Sequence, residues 1–323
     1  MKYQFACSLF TSFTLLTATA GTMVTRFNTD PLTAGWQIHG TNNLFLWDAT
    51  NQNLKATWDS AKPNEFFFLP LGATYSRTND FLVSFDIRLA DITVGTTPGY
   101  DYTFEIAAGL VNLPQATNAG FIRGSGFQSP NLIEWDYFPN DVNNYGATIA
   151  TTVVSANHNY GSGGFTFPLE MATNATYTIR MTYTAADATL RSQMTSNGVP
   201  VGPLQDTKLG NSFDDFAVNA LAIISYNDEG QFPGFEGSVR ANGTVDNLVF
   251  ASPLPVGRLV NDTATAVAFT SDASWVYTLE ASTNLIDWSN ASPATAGTGS
   301  TLTLTATNAP ANIGFLRVRA DLP

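Results

Sequence analysis

Glu134 and Asp136 stand two residues apart in the stretch EWDYFPN, which ends at Asn140. If this stretch is a strand, alternate side chains point to the same side, so the two carboxylates lie about 7 Å apart. The turn at Pro139 and Asn140 would bring a main-chain carbonyl and an amide oxygen beside them. Calcium prefers such hard oxygen ligands. The spacing leaves three alternatives open: a structural strand and turn, a pair of catalytic carboxylates, or a metal-binding loop.

Strands are the elements that would position these residues. In residues 81–89 (FLVSFDIRL), Phe81, Val83 and Phe85 fall on one face, while Ser84 and Asp86 fall on the other. Residues 177–183 (YTIRMTY) repeat this period of two, which is typical of half-buried strands. Turn-forming residues separate many such runs, and no long amphipathic helix is evident. The pattern predicts an all-β protein with a β-sandwich or jelly-roll architecture.

The amino terminus has the pattern of a secretory signal. A positive Lys2 precedes an apolar run, and Ala18-Thr19-Ala20 is a small-residue cleavage site. We therefore expect residues 1–20 to be a signal peptide and the protein to be secreted, in the extracellular space, at the cell surface or in the periplasm. No other stretch reaches the roughly 18 apolar residues of a membrane span.

Charge and cysteine content narrow the possible partners and sites. The formal net charge is −12, which argues against binding to nucleic acid or to anionic membranes. The single cysteine, Cys7, lies inside the predicted signal. A mature chain that begins at Gly21 would therefore have no disulfide, no thiolate nucleophile and no cysteine metal ligand.

The chain of 323 residues divides at a segment punctuated by Pro and Gly. We expect a sandwich domain over residues 21–252, a linker over residues 253–264, and a small β module over residues 265–323. In the last part, Leu316 and Val318 alternate with Arg317 and Arg319, as in a strand.

Residues 26–252 resemble the concanavalin A-like sandwich superfamily in the opening FNTDPLTAGWQ, the closing GSVRANGTVDNLVF and the strands between them. The similarity is to exported bacterial laminin G-like or lectin-like domains. The tail, with YTLEASTNLIDWSNA and GFLRVRA, resembles a small carboxy-terminal module of exported proteins from Verrucomicrobia and their relatives. That resemblance implies a β module with a role in spacing, sorting or association with the cell surface or extracellular matrix.

A more specific resemblance concerns the opening stretch, which is similar to the metal-binding strand and loop of legume lectins. That motif has the form E-x-D-x-[FY]-P/x-N and implies a metal site, with calcium as the cofactor. The chain departs from it at Tyr145 and Ala150, where the lectins have an Asp and a His, so a two-metal site is not expected. The implied ligands are Glu134, Asp136, Phe138 through its carbonyl, Asn140 and Asp141.

The same resemblance implies a sugar site. Legume lectins place a sugar-binding Asp in a D-x-x-x-F context upstream of the metal strand, similar to Asp101 here, which precedes Phe104 by three residues, and a Gly-aromatic pair between them, as at Gly120 and Phe121. The alternative for Asp101 is an ordinary turn residue. The predicted carbohydrate-binding residues are Asp101, Gly120, Phe121 and Asn140.

Glycoside hydrolases with this sandwich resemble the stretch less well. Their strand carries a second Glu four or five residues after the first, and Phe138 and Pro139 occupy those positions here. Retaining enzymes need two carboxylates about 5 Å apart. We therefore expect a non-catalytic, exported glycan-binding protein that calcium supports. The alternatives are a polysaccharide-active hydrolase or lyase on the same sandwich, and an extracellular structural or adhesion protein.

Overall fold

The structure is a computed structural model of the chain. It describes residues 21–124, 127–163, 169–252, 260–261, 266–271, 273, 275–284, 287–308 and 315–321. The predicted signal peptide, residues 1–20, and most of the predicted linker, residues 253–264, lie outside this part of the chain. Among the described residues, no helix is both long enough and apolar enough to cross a membrane.

Antiparallel strands make up the part of the chain up to residue 252. Two short helical turns, Pro31–Ala34 and α1 (Leu113–Ala116), interrupt them. The strands, in chain order, are β1 (Gly21–Thr25), β2 (Gln37–His39), β3 (Phe45–Asp48), β4 (Asn53–Asp59), β5 (Glu65–Tyr75), β6 (Phe81–Val94), β7 (Ile106–Val111), β8 (Arg123–Gly124), β9 (Phe127–Gln128), β10 (Leu132–Phe138), β11 (Thr148–Val154), β12 (Tyr160–Ser162), β13 (Thr176–Thr184), β14 (Thr189–Ser196), β15 (Val199–Lys208), β16 (Val218–Ser225) and β17 (Val239–Ser252).

Two large sheets form the sandwich. The first sheet has the order β15-β14-β13-β6-β17-β4-β3, with β1 also paired to β17, and the second has the order β12-β11-β10-β7-β16-β5-β2. Consecutive strands cross between the sheets: β4 and β6 belong to the first, and β5 and β7 to the second. This crossing is the jelly-roll arrangement, so the predicted all-β sandwich is confirmed.

The core between the sheets follows from the alternation in the sequence. Phe85 of β6 meets Trp135 of β10 edge to face, with ring centroids 5.9 Å apart. Trp135 in turn stacks on Tyr137, two residues along the same strand. Trp135 and Tyr137 are each 1% exposed. Because alternate residues of a strand point to opposite faces, Glu134 and Asp136 lie on the other face of the second sheet.

The remaining described residues form smaller sheets. A five-stranded sheet holds β18 (Val260–Asn261), β20 (Val276–Ser282), β21 (Ser289–Asn290), β22 (Thr295–Ala296) and β24 (Phe315–Asp321), while β19 (Ala266–Thr270) pairs with β23 (Thr301–Thr305). Leu82 and Val249 of the first sheet share one buried cluster with Trp275 and Leu279. The Trp275 indole also donates a hydrogen bond of 2.9 Å to the Thr22 hydroxyl. The carboxy-terminal strands therefore pack directly on the sandwich.

Candidate functional site

The outer face of β10 is unusual because its two carboxylates are fully buried. Glu134 and Asp136 are both 0% exposed. Their partners in the sheet are small: Gly109 lies opposite Glu134, and Ala107 and Ala150 lie opposite Asp136. A Cβ at Gly109 would come within 2.1 Å of the Ile133 carbonyl oxygen, so the close approach of β7 to β10 requires glycine there. The small neighbours leave room above the sheet for a side chain from elsewhere.

Arg123 is that side chain, and it comes from β8 in the connection between β7 and β10. Its Nε lies 3.0 Å from Glu134 Oε2, and its Nη2 lies 3.4 Å from Asp136 Oδ2. A third carboxylate, Glu105, lies just before β7, with Oε1 3.5 Å from Arg123 Nε. That last contact is within ion-pair range but lacks hydrogen-bond geometry. Arg123 and Glu105 are each 3% exposed, so water does not screen these charges.

Tyr226 completes this buried acid cluster, which we define as Glu105, Arg123, Glu134, Asp136 and Tyr226. The Tyr226 hydroxyl donates a short hydrogen bond to Glu134 Oε1. The Arg123 guanidinium lies 6.0 Å from the centre of the Tyr226 ring. Both oxygens of Glu134 therefore have a donor, one from the arginine and one from the phenol.

Burial controls the protonation of the cluster. It raises the pKa of Glu105 to about 7, although Arg123 opposes this change. Burial also raises the pKa of Asp136, and the nearby Glu134 adds to this effect. For Arg123, burial acts to lower the pKa, but the surrounding carboxylates hold it well above its usual value. The arginine is therefore charged, and one cation faces carboxyl groups that compete for it.

Some oxygen atoms of the cluster remain without a donor. Glu105 Oε1 and Asp136 Oδ1 have no hydrogen-bond partner among the described residues, and neither has the Thr152 hydroxyl on β11. Thr152 lies near enough to lower the pKa of Asp136, but the two oxygens fall short of hydrogen-bond geometry. Buried polar atoms of this kind are costly unless protons or water satisfy them. The cluster is therefore shielded from solvent, and it has fewer hydrogen-bond donors than acceptor oxygens.

The loop after β10 holds its polar groups in a different way. The Asn140 side chain accepts a hydrogen bond of 2.8 Å from the Gly146 amide and donates one to Asn144. Asp141 Oδ1 accepts hydrogen bonds from the amides of Asn143 and Tyr145. These contacts fix the turn. Across the described residues, no group of three or more His, Cys, Asp and Glu side chains is arranged to hold a metal.

The predicted sugar-binding residues fall in two places. Asp101 is exposed and forms an isolated bridge with Gly237, while Gly120 is exposed and donates its amide to Asn118. Phe121 is buried, and its ring stacks 6.0 Å from that of Tyr226. Phe121 therefore covers the buried acid cluster and does not present a free ring face. The structure does not bring Phe121 and Asp101 together as one surface.

Asp101 adjoins a group of three aromatic residues, of which Tyr102 is half-buried and two are exposed. The ring of Tyr102 lies 6.0 Å from that of Tyr145, at an interplanar angle of 21°, and 6.4 Å from that of Phe235, at 31°. Tyr145 is 67% exposed and Phe235 is 65% exposed. We call Tyr102, Tyr145 and Phe235 the aromatic rim. Its residues lie in three loops at one end of the second sheet, before β7, after β10 and after β16.

Backbone contacts set the position of the rim. The Tyr102 amide donates to the Glu236 carbonyl, and the Ser238 amide donates to the Tyr102 carbonyl. A Cβ at Gly237 would come within 1.8 Å of the Thr103 carbonyl oxygen, so the two loops can meet only because residue 237 is glycine. The Tyr145 amide is held by Asp141. Hydrogen bonds therefore join the loops of Tyr102 and Phe235 to each other. The loop of Tyr145 is held by hydrogen bonds within the loop itself.

A cleft lies beside the rim. It has a volume of 430 Å³ and runs between the end of β6 and the loop after β10. Its walls include Ile92, Asn140, Asp141, Val142 and Glu170. A larger groove of 530 Å³ lies on the first sheet and is lined by polar side chains such as Asp48, Lys55 and Asp246. The loop after β10, which carries Tyr145, also forms a wall of the 430 Å³ cleft.

Sequence reasoning missed most of these residues. Arg123, Glu105 and Tyr226 carry no motif, and strand pairing brings them together from distant parts of the chain. In the sequence, Tyr145 is distinguished only because it departs from the lectin motif. Phe235 lies in a Gly-rich loop, residues 230–237, where two exposed Phe residues are an unusual composition that could have served as a signal.

Comparisons with known proteins give similarity of fold. No family model and no curated protein matches the chain. Peanut lectin solved with a nine-residue peptide is 13% identical, over 73% of this chain and 100% of the lectin, with a TM-score of 0.45. Lectin UEA-II complexed with galactose is 12% identical, over 72% and 98%, with a TM-score of 0.46. An alginate lyase is 10% identical, over 72% and 97%, with a TM-score of 0.44. The identities are 13% or lower and the TM-scores are below 0.5, so the description of the fold rests on the strand topology given above.

Proposed function

We propose that the protein binds neutral glycans through the aromatic rim. The observation that carries this proposal is the exposure of Tyr145 and Phe235 on either side of Tyr102. A pyranose ring has a face of C–H bonds that packs well on an aromatic face, and tyrosine adds a hydroxyl group that can bind a sugar hydroxyl. Flat aromatic side chains also lose little conformational entropy when they bind.

Acidic neighbours of the rim favour an uncharged ligand. Asp101 precedes Tyr102, Glu236 follows Phe235, and Asp141 holds the loop of Tyr145. Carboxylates accept hydrogen bonds from sugar hydroxyls, and they repel uronates and sulfates. The net charge of −12 acts in the same direction over longer distances. A neutral, hydroxyl-rich polysaccharide therefore fits the rim better than alginate or another anionic polymer.

Binding is better supported than catalysis. Glu105 and Asp136 of the buried acid cluster have raised pKa values, as general acids often do, but both are at most 3% exposed. Arg123 contacts Glu134 directly, and Phe121 stacks on Tyr226, which also contacts Glu134. A substrate would have to displace both residues to reach Glu134. The predicted signal at residues 1–20 agrees with a ligand met outside the cell.

The third alternative, adhesion to another protein, also has an observation in its favour. Val142 and Phe232 are 63% and 57% exposed near the rim, and exposed apolar groups often mark protein contacts. Acidic side chains are interspersed with the rings, however, and contact cores of protein interfaces are depleted in such charges. The composition of the rim therefore suits a glycan better than a protein partner.

A glycan array tests the proposal with the full secreted chain. We expect binding to neutral polysaccharides and none to alginate or sulfated polymers. Replacing Tyr145→Ala should weaken affinity about tenfold, which corresponds to the loss of one stacking contact. Tyr160→Ala is the matched control, because Tyr160 is also exposed, at 47%, but lies on β12. An array without any neutral ligand, or equal effects of the two variants in calorimetry, would refute the rim as the binding surface.

A further inference from the structure

The sequence predicts calcium at Glu134 and Asp136, and the structure places an arginine there. Arg123 Nε and Nη2 reach one oxygen of each carboxylate, at 3.0 and 3.4 Å. Tyr226 occupies the other oxygen of Glu134. These lone pairs are the ones that a metal ion would use. Calcium needs six to eight oxygen ligands. Three of the four oxygens of Glu134 and Asp136 already accept hydrogen bonds from Arg123 or Tyr226.

We infer that Arg123 is the built-in cation of the buried acid cluster, so that the acid pair which resembles a lectin metal site takes no metal. A divalent ion beside Glu134 would lie within a few ångströms of the guanidinium. Repulsion between like charges is strong where water does not screen it. A metal could therefore bind only after Arg123 had left the cluster.

Anchors on both sides of Arg123 hold it in place. The Asn64 side chain donates a hydrogen bond of 3.0 Å to the Phe121 carbonyl. Ile122 and Ser129 exchange hydrogen bonds, one from the Ile122 amide to the Ser129 hydroxyl and one from the Ser129 amide to the Ile122 carbonyl. Phe121 packs edge to face on Phe66 of β5. The insertion of Arg123 is therefore part of the fold and not a loose surface contact.

The fork of the guanidinium also explains why one arginine can serve several acids. Its donors are spread in a plane and remain protonated under all ordinary conditions. Glu105 lies on the same side, within ion-pair range of Nε. A single calcium ion would bring two charges, whereas Arg123 brings one and contacts all three carboxyl groups.

Thermal unfolding of the full chain with EDTA and with added calcium tests this inference. The wild type should show the same Tm in both conditions. Arg123→Ala should lower the Tm by on the order of 10 °C, because it leaves buried carboxylates without a counter-charge. Added calcium should then raise the Tm of this variant. Arg191→Ala is the matched control, since Arg191 pairs with Asp187 at the surface.

Calcium binding to the wild type, measured by equilibrium dialysis, keeps the inference testable if Arg123→Ala does not fold. Bound calcium that disappears in Glu134→Gln, or an EDTA-induced loss of Tm that calcium restores in the wild type but not in Glu134→Gln, would overturn the inference. A calcium effect that persists unchanged in Glu134→Gln places the ion elsewhere and leaves Arg123 as the cation of the cluster.

Discussion

Strand β10 and the loop that follows it are adjacent in sequence and share acidic and aromatic residues, yet the fold uses them in opposite ways. On the strand, Trp135 enters the core, and Glu134 and Asp136 are sealed beneath Arg123. In the loop, Asp141 fixes a turn, and Tyr145 projects into solvent. Exposure, more than residue type, therefore decides whether an acid needs a counter-charge or is solvated by water.

The free-energy cost of a carboxylate charge also differs between the two regions. A buried carboxylate needs a counter-charge or a proton, because transfer out of water costs several kcal/mol for each ion. A carboxylate in an exposed turn needs neither, since water solvates it and its backbone hydrogen bonds add only about 1 kcal/mol each. The strand acids should therefore be sensitive to charge and pH, while the loop acids should tolerate change.

Removal of the buried counter-charge should give the largest effect. In Arg123→Met the side chain keeps much of its volume but leaves the carboxylates of Glu105, Glu134 and Asp136 without a cation. We expect the free energy of unfolding at neutral pH to fall by about 3–5 kcal/mol, as for other buried ion pairs that lose one partner. Urea denaturation measures this loss.

Arg191→Met is the control at the surface, where exposed ion pairs contribute up to about 1 kcal/mol. Equal losses in Arg123→Met and Arg191→Met would contradict the contrast between buried and exposed charges. A full loss in Arg123→Met that is also independent of pH would show that packing of the arginine stem, rather than charge, carries the effect.

The sequence predicts the arrangement of strand β10 better than that of the loop after it. The period of two in a strand is enough to place Glu134 and Asp136 on the same face. Burial of that face could not be predicted, because it depends on Arg123, which stands eleven residues before Glu134 on a short hairpin, and on Tyr226, which is 92 residues away. Such contacts leave no local period in the sequence.

The metal and sugar predictions for the loop show a related limit. Asn140 and Asp141 have the residue types of calcium ligands, but the same types are also favoured in turns, where the side chain binds its own backbone. In the structure both residues make such turn contacts. Turns and calcium sites draw on the same residue types, so residue type alone does not separate the two roles.

A dependence of stability on pH should come next in size. Unfolded Glu105 has an ordinary pKa, and the folded protein raises it to about 7. The folded state therefore binds this proton more tightly, so the stabilisation is complete below the unfolded pKa and is lost as the pH rises through about 7. Asp136 shifts in the same direction. Urea midpoints from about pH 5 to about pH 8 should fall by an amount equivalent to roughly 3 kcal/mol at most.

Glu105→Gln isolates the contribution of this carboxyl, because the amide cannot ionise. We expect the variant to lose most of the decline in stability between about pH 5 and about pH 7. Glu229→Gln, at an exposed loop position, should keep the wild-type slope. Stability that rises with pH over this interval, or a slope unchanged in Glu105→Gln, would mean that Glu105 is already ionised in the folded protein.

The smallest effect is expected for the loop acid that holds Tyr145. Asp141→Ala removes the acceptor for the Asn143 and Tyr145 amides and should cost about 2 kcal/mol of stability or less. Hydrogen exchange should become faster at residues 143–146 and stay unchanged in β10. Asp141→Asn retains an acceptor oxygen, so its exchange should remain close to that of the wild type. If Asp141→Ala unfolds the sandwich as Arg123→Met is expected to do, then the loop and the strand form one cooperative unit, and exposure is not what distinguishes their acids.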